Sequence, residues 1–501
     1  MNHTIFKHHK SGAAAILAAA LLSACASMAP NYERPQAPVA AAWPAASAPL
    51  APSAGKGGVD APPSVGDIGW REFFSDAKLQ KLIELALANN RDLRVAALNV
   101  ERYRNEYRIQ RAEQFPAIGG TGNDTAQRRG PNATGTGTSS ISRLYAANIG
   151  VSSYELDFFG RLRSLSDKSL ETFLSYGEAQ RATRISLVSE IANAYLTLGA
   201  DKQRLQLAQE TLASQSASFN LTRRSYELGV SSALDVSQAQ TSVDTARADI
   251  ATYTTQVAQD ENALTLLVGA PAPSELLPAA TLAEVSAFTD LPAGLPSEVL
   301  QRRPDVLEAE RNLRAANANI GAARAALFPS LSLTANAGAA STALSTLFKA
   351  GSGAWSFIPN ITVPIFNSGS LRAQVKVAEI DRDIAVANYE KAIQTAFKEV
   401  ADALAQRRTI DDQVAARQSL VDANAKSYRL STARYRTGVD SYLVALDAQR
   451  SLYSAQQNLI TTQLARRTNL VTLYKVLGGG WQEAAGSGEK TAALPQPGSH
   501  Q

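Results

Sequence analysis

Histidine and cysteine are almost missing from this chain. Its four histidines are His3, His8, His9 and His500, and its single cysteine is Cys25, all outside the stretch that reads as a folded body. A body without imidazole or free thiol cannot build the commonest metal sites, Ser-His or Cys-His nucleophiles, or imidazole acid–base pairs. One cysteine also excludes a disulfide framework. No G-x-S-x-G occurs, and Gly488-Glu489-Lys490-Thr491 misses the phosphate-loop pattern. Carboxylate chemistry stays formally open, but these absences argue against an enzyme. Charge is nearly balanced, with 49 Lys and Arg against 45 Asp and Glu, and two of the lysines lie in the leader. That is no polyanion-binding signature, so nucleic acid is not an expected partner.

What is present begins with that leader. Lys7 and Lys10 give a positive start, and Gly12 to Leu22 form an apolar run too short to span a bilayer. The run closes in Leu22-Ser23-Ala24-Cys25, which resembles a bacterial lipobox. There the thiol receives a diacylglycerol, and cleavage before it exposes an amine for an N-acyl chain. Stable anchoring needs two or more such chains. Residues 1–24 are accordingly read as a lipoprotein signal peptide, Cys25 as the lipidation site, and 25–66, rich in Ala and Pro, as an extended lipidated tether. The alternative is an ordinary signal peptide with a chance cysteine. Ala26 follows, not the aspartate that resembles an inner-membrane retention signal in enterobacteria, so sorting to the outer membrane is expected.

The body repeats itself. Tyr226, Gly229, Val230, Ser232, Leu234 and Gln240 match Tyr435, Gly438, Val439, Ser441, Leu443 and Gln449, each pair 209 positions apart. The same offset joins Gly160, Leu162 and Arg163 to Gly369, Leu371 and Arg372, and Gly269 to Gly478. Upstream the offset is 213, pairing Asp92, Ala96, Asn99, Phe115 and Pro116 with Asp305, Ala309, Asn312, Phe328 and Pro329. Two halves therefore share one plan: repeat 1 over 67–270, a linker over 271–295, repeat 2 over 296–478, and a Gly-, Ala- and Pro-rich tail over 479–501 read as disordered.

Each half alternates long helix with short strand. Asp76 to Gln114, Arg161 to Leu228, Ala233 to Val268, Pro304 to Leu327, Leu371 to Tyr435 and Tyr442 to Leu477 lack interior proline. Apolar residues recur at spacings of three and four, as in Ile185, Val188, Ile191, Tyr195 and Leu198, or Ile393, Phe397, Val400 and Leu404. Runs this long suggest coiled coils; about 65 residues would reach about 100 Å at a rise of 1.5 Å per residue. Between helices the period becomes two. Leu331, Leu333, Ala335 and Ala337 alternate with Ser332, Thr334, Asn336 and Gly338, and Tyr145, Ala147, Ile149 and Val151 do likewise. Trp355, Phe357, Ile361, Val363 and Ile365 hold one face of a third segment, and the Gly- and Thr-rich stretch after Pro116 is read as the fourth. Segments of about ten residues with alternating faces suit a lipid-facing barrel strand. A soluble sheet buried on one side is the alternative for any one of them.

Four strands cannot close a barrel, and open edges are not tolerated in hydrocarbon. The chain must then supply a fraction of a shared barrel, and dimer and trimer both satisfy the arithmetic.

Several motifs carry a resemblance. They are Asn31-Tyr32-Glu33-Arg34-Pro35, Tyr154-Glu155-Leu156-Asp157-Phe158-Phe159-Gly160-Arg161, Arg302-Arg303-Pro304-Asp305-Val306, Val363-Pro364-Ile365-Phe366 before Gly369, and the two Tyr-x-x-Gly-Val segments. Over roughly 28 to 480 the chain resembles the TolC-like outer membrane factors, in particular the NodT-type lipoprotein branch. The resemblance implies a mixed α and β membrane protein, a homotrimer whose four strands per chain make one 12-stranded outer-membrane β-barrel, continuous with an α-helical coiled-coil tunnel in the periplasm. A periplasmic adaptor, an inner-membrane pump of the RND type and outer-membrane lipid would be its partners, with no cofactor beyond the covalent lipid on Cys25. Its function would be passive export of small molecules such as drugs. Protein secretion of type I, a helical envelope lipoprotein without a pore, and a periplasmic adaptor are the competing readings.

The resemblance also proposes a gate. Gly229 and Gly438 would turn the two hairpins at the periplasmic tips, while C-cap glycines are the plainer account of the same residues. Asp235 and Asp447 match aperture carboxylates by position. Val444 stands where the family prototype has another aspartate, and Asp440 where it has an arginine, so the aperture contacts would differ. Three copies of each aspartate near one axis would raise one another's pKa and favour cations; solvated surface carboxylates are the alternative. Tyr226 and Tyr435 would seal the closed tip or pack inside the coil. Phe158, Phe159, Trp355, Phe357 and Phe366 would form an aromatic girdle, or, for Phe158 and Phe159, a packed junction.

Overall fold

The computed structural model describes residues 27–44, 65, 68–134, 138–282, 291 and 302–480. The leader, Cys25 and the tail beyond 480 lie outside the described residues. The chain forms two compact units, and each draws on both sequence halves. A sheet unit takes residues up to Gln36, Asn99–Gly177 and Glu308–Glu390; a helical unit takes Ala37–Leu98, Glu178–Leu307 and the chain from Lys391. In order, the elements are α1 (Trp70–Phe73), α2 (Ala77–Asn89), α3 (Arg91–Ala112), β1 (Ile118–Arg129), α4 (Pro131–Thr134), β2 (Ser140–Leu156), α5 (Arg161–Glu227), α6 (Ala233–Val268), α7 (Pro304–Ala325), β3 (Ser330–Ser341), β4 (Gly353–Thr362), α8 (Ser370–Arg436) and α9 (Tyr442–Val476). Among the described residues no helix is long and apolar enough to cross a membrane.

The four strands make one antiparallel sheet in the order β1-β2-β3-β4, so β2 against β3 joins the two halves. Register sorts its side chains by pleat. Trp355, Phe357 and Ile361 stand beside Ala337, Ala335 and Leu331. These in turn stand beside Ile149, Val151 and Leu156, and Val151 beside Ile118. One face is therefore an apolar band. The other carries Thr121, Asn123, Asn148, Asn336, Ser356 and Asn360. Neither face is covered: β1 is exposed throughout and β4 nearly so, with Trp355 80% and Ile149 63% exposed. Among the described residues neither outer edge, of β1 or of β4, has a partner strand.

Two details of the sheet differ from plain alternation. Between Val151 and Tyr154 the register slips by one residue, where Ser153 adopts φ 53 and its N–H donates to Thr334 Oγ1 at 3.1 Å. This bulge returns Tyr154 and Leu156 to the apolar face. The segment expected from Trp355 to Ile365 also stops sooner than its alternation suggests. β4 ends at Thr362, and Val363 and Ile365 lie beyond it, where Pro364 offers no N–H to a ladder. At the centre, Gly150 sits opposite Asn336 and Gly338 opposite Asn148. A Cβ at Gly338 would come within 2.0 Å of the Ala147 carbonyl, so only glycine fits.

The N-terminal tether is docked over part of its length. Buried Glu310 of α7 accepts from Tyr32 Oη at 3.1 Å, from Arg34 at 3.1 and 2.6 Å, and from Arg314 Nη2 at 2.7 Å. Asn317 Nδ2 donates to the Pro30 carbonyl at 2.7 Å. Burial acts to raise the Glu310 carboxyl, but the two guanidinium groups outweigh it and hold it below its usual value.

In the helical unit the expected heptad-like positions pack. Val188, Ile191, Tyr195, Leu198, Val400 and Leu404 are buried, and Phe397 stacks on Trp43 with centroids 4.9 Å apart. Phe73 and Tyr474 stack at 3.9 Å beside Phe74, and Tyr474 Oη donates to the Ile68 carbonyl at 2.7 Å. The helix expected from Asp76 to Gln114 is two helices. Asn90 breaks it with ψ 133, its Oδ1 accepting from Leu93 N at 2.9 Å and its Nδ2 donating to the Leu267 carbonyl at 2.8 Å. An Asn side chain that finds both partners outcompetes a continuous helix. Arg303 gathers Asp305, Glu399 and the Val476 carbonyl around one buried guanidinium.

Candidate functional site: the two hairpin tips

Two turns link long helices end to end, α5 to α6 and α8 to α9, and they repeat one backbone design. Gly229 and Gly438 both have φ 74. At the first, Gly229 N–H donates to the Tyr226 carbonyl at 2.9 Å and Val230 N–H to Ser225 at 2.8 Å. At the second, Gly438 donates to Tyr435 at 2.9 Å and Val439 to Arg434 at 2.9 Å. This is a Schellman closure in each case, which requires a left-handed residue and satisfies orphan helix carbonyls. The two glycines are thus C-cap residues, and the tips are helix–turn–helix.

Polar groups then make the tips unlike. In the first, Asp235 is the third residue of a capping box. Its Oδ2 accepts from Ser232 N at 3.0 Å and Ser232 Oγ at 2.8 Å, while Asp235 N donates to Ser232 Oγ at 3.1 Å. In the second, the place of Asp235 is taken by Val444, and Ser441 makes no side-chain cap. Asp440 instead bridges the turn, accepting from Arg434 Nε at 2.5 Å and Nη2 at 3.0 Å. Those hydrogen bonds hold the Asp440 carboxyl below its usual range. Asp447 is the loosely held carboxylate of the set, 63% exposed and 3.8 Å from Arg450.

The tyrosines divide. Tyr226 is 49% exposed. Tyr435 packs inward, 5.3 Å from the ring of Tyr442, over a cluster of Ala239, Tyr442 and Leu446 with Phe219. A small cleft of about 40 Å³ lies there among Tyr428, Tyr435, Tyr442 and Gln449. Burial first, then the neighbouring Tyr435, pushes the Tyr442 hydroxyl up to about 12. Around this polar set the tips are apolar and bare, with Leu228 80%, Val230 81% and Val439 60% exposed.

Sequence reasoning missed Arg434 and Tyr442. The signal for Arg434 was its opposite charge six positions before Asp440 across a glycine turn. Tyr442 replaces Ala233 of the first repeat, a size change that marks an asymmetric packing site. Cutting the tie is expected to show in titration: Arg434→Ala should bring the Asp440 carboxyl back up toward the ordinary range. NMR titration of a selectively labelled chain would read it, and an unmoved midpoint would mean that Arg434 does not hold Asp440.

The aromatic residues expected at the membrane interface also divide. Trp355, Phe357 and Phe366 are exposed, at 80%, 60% and 87%. Phe159 stacks on Phe328 at 4.9 Å, and both, with Phe158, line a cleft of about 250 Å³ where β2 runs into α5. Phe158 and Phe159 therefore serve a packed junction.

Comparison with known proteins gives the family. The family model described as "Outer membrane efflux protein" matches residues 82–270 and 295–479. The toluene efflux pump outer membrane protein TtgC of Pseudomonas putida is 52% identical over 477 residues, 95% of this chain and 97% of the relative. The antibiotic efflux pump outer membrane protein ArpC of the same species matches equally, at 52% over the same coverage. Among solved structures, the open state of the Neisseria gonorrhoeae MtrE outer membrane channel superposes with a TM-score of 0.80 at 37% identity, covering 91% of this chain and 99% of that one.

Proposed function

This chain belongs to the outer membrane efflux protein family, and on that premise we propose that it is one subunit of a homotrimeric duct exporting small molecules from the cell. It is an outer-membrane channel of a tripartite efflux system. One observation carries the mechanism: a four-stranded sheet with an apolar face, a polar face and two edges that are unpaired among the described residues. Hydrocarbon does not tolerate an open edge, so β1 of one copy must meet β4 of the next. Three copies give a 12-stranded barrel whose polar face lines water and whose apolar band meets lipid.

The duct does no bond chemistry. It supplies a route past the periplasm, and an inner-membrane pump of the RND type, joined through a periplasmic adaptor, supplies the work. The lipid on Cys25 ties each subunit to the outer membrane, with the docked Tyr32 and Arg34 close behind it in sequence. At the tips, Asp447 from three copies narrows the entrance, whereas Asp235 and Asp440 serve mainly to hold their own turns. Asp447→Ala should therefore raise single-channel conductance in planar bilayers, and an unchanged value would remove Asp447 from the gate.

The relatives named for toluene and for antibiotics point to small apolar and amphiphilic cargo. In a strain lacking its own outer-membrane component, supplying this chain with its pump and adaptor should restore tolerance to a panel of solvents and antibiotics. Restored secretion of a protein, with no gain in tolerance, would overturn the small-molecule reading.

A further inference from the structure

The sheet carries charge of one sign at one end. At its helical end, β2 runs into α5, α7 into β3 and β4 toward α8. The opposite end holds the two strand-to-strand connections. Over 125–146 and 338–356, which make up that end, the chain has Arg128, Arg129, Arg143 and Lys349 and no Asp or Glu. In a chain of almost balanced charge that is a cationic rim. All four side chains are exposed, and none of them forms an ion pair among the described residues.

The pleat separates these cations. Arg128 stands beside Ile141, and Arg143 beside Ala126, on the pleat that carries Ile118, Ile149 and Val151. Arg128 and Arg143 are therefore diagonal neighbours on the lipid-facing side, their backbones about 7–8 Å apart. Arg143 Nη1 also reaches Tyr145 Oη, on the same pleat, at 3.4 Å. Arg129 falls on the other pleat with Thr121 and Asn123, and faces the water inside the barrel. The acid nearest the pair on their own pleat is Asp124, beside Tyr145, and it ion-pairs with neither arginine. At the matching end of the second strand pair, the lipid-facing positions are Ala339, Ser341 and Gly353, with no cation.

Height then places the pair. From Leu156 to Ala147, β2 climbs about 24 Å at about 3.4 Å per residue and a tilt of about 40°, the height of an outer-membrane apolar band. Tyr145 and Arg143 come next, at the boundary between hydrocarbon and headgroups. The helices leave the other end for the periplasm, so this boundary is that of the outer leaflet. A guanidinium there costs little, and its planar fork matches phosphate oxygens two at a time. We propose that Arg128 and Arg143 form a site on the lipid-facing rim for the phosphates of a phosphorylated outer-leaflet glycolipid, one site per chain and three around the barrel. The site rests on the shared-barrel reading given above, which sets the lipid-facing side and the height.

Native mass spectrometry of the purified trimer tests it, with titrations of bis-phosphorylated lipid A and of the same lipid stripped of both phosphates. The phosphorylated lipid should bind more tightly. Arg128→Ala combined with Arg143→Ala should weaken it about thirtyfold, from about fivefold per arginine facing an anionic lipid surface. Arg129→Ala removes a charge from the same rim on the water-facing pleat, and should leave the affinity nearly unchanged. Arg128→Lys with Arg143→Lys keeps the charge without the fork, and should bind between the native chain and the alanine pair. An excess of inorganic phosphate should not displace the lipid. The alanine pair should still run as a trimer and conduct in planar bilayers, so a failure of the lipid site is distinguishable from a failure of the duct. Equal binding of the two lipids, an alanine pair that binds like the native chain, an Arg129→Ala loss as large as that of the pair, or displacement by inorganic phosphate would overturn the site.

Discussion

Ile149→Arg should strongly destabilise the inserted sheet, because it places a guanidinium in the apolar band. Ile149 is paired on both sides, with Gly120 of β1 and Ala337 of β3, so the strand cannot twist the new side chain out of the way. A midplane arginine on the lipid face of an outer-membrane barrel costs about 2–4 kcal/mol. Native domains are stable by only about 5–15 kcal/mol, so a substantial share of a small margin goes. The companion change Asn123→Arg lies on the opposite face and should leave stability within about 0.5 kcal/mol. Urea titration in lipid vesicles would compare the two. Equal midpoints would mean that the band does not face lipid.

Arg303→Ala should be the most damaging single change in the helical unit. The side chain is 9% exposed and its guanidinium meets three partners: Asp305 at 2.7 Å, Glu399 at 2.7 Å and the Val476 carbonyl at 3.1 Å. The last of these lies at the C-terminal end of α9, where helix carbonyls lack partners and a cation is favoured. Removing the shared cation leaves the Val476 carbonyl without that donor and returns two half-exposed carboxylates to water, a loss of about 1–3 kcal/mol together with the packing of the buried side chain. Arg303→Lys keeps the charge but not the planar fork, and should recover only part of it. Glu399 is 42% exposed, so Glu399→Gln should cost under about 1 kcal/mol. Denaturation midpoints would rank the three. Arg303→Ala no worse than Glu399→Gln would show that the guanidinium is not the organising group.

The long helices were legible because period and punctuation agree. α5 and α8 begin just after Gly160 and Gly369 and end just before Gly229 and Gly438, and all four glycines take positive φ. Strand alternation likewise foretold the apolar face of β2 and β3. What escaped was decided by single side chains meeting distant partners. Asn90 breaks a helix because Leu267 offers it a carbonyl 177 positions away. The bulge at Ser153 depends on Thr334 across the sheet. The tether looked free because nothing near Tyr32 and Arg34 in sequence announces Glu310. At the tips, spacing located the aspartates but not their partners. The same residue type is a helix cap at 235, a cross-turn ion pair at 440 and a bare carboxylate at 447.

The central claim is that three chains share one barrel by joining β1 of one copy to β4 of the next. Cys25 is the only native cysteine, so a pair of introduced thiols can be read without interference once it is acylated. Thr121→Cys on β1 should be combined in turn with Ala354→Cys, Ser356→Cys and Ile358→Cys on β4, all on the polar face, to scan the unknown register. Mild oxidation in outer membranes should give, for one of the three pairs, covalent dimer and trimer bands and nothing larger. Monomer bands at every register, or a ladder running past three, would contradict the shared barrel.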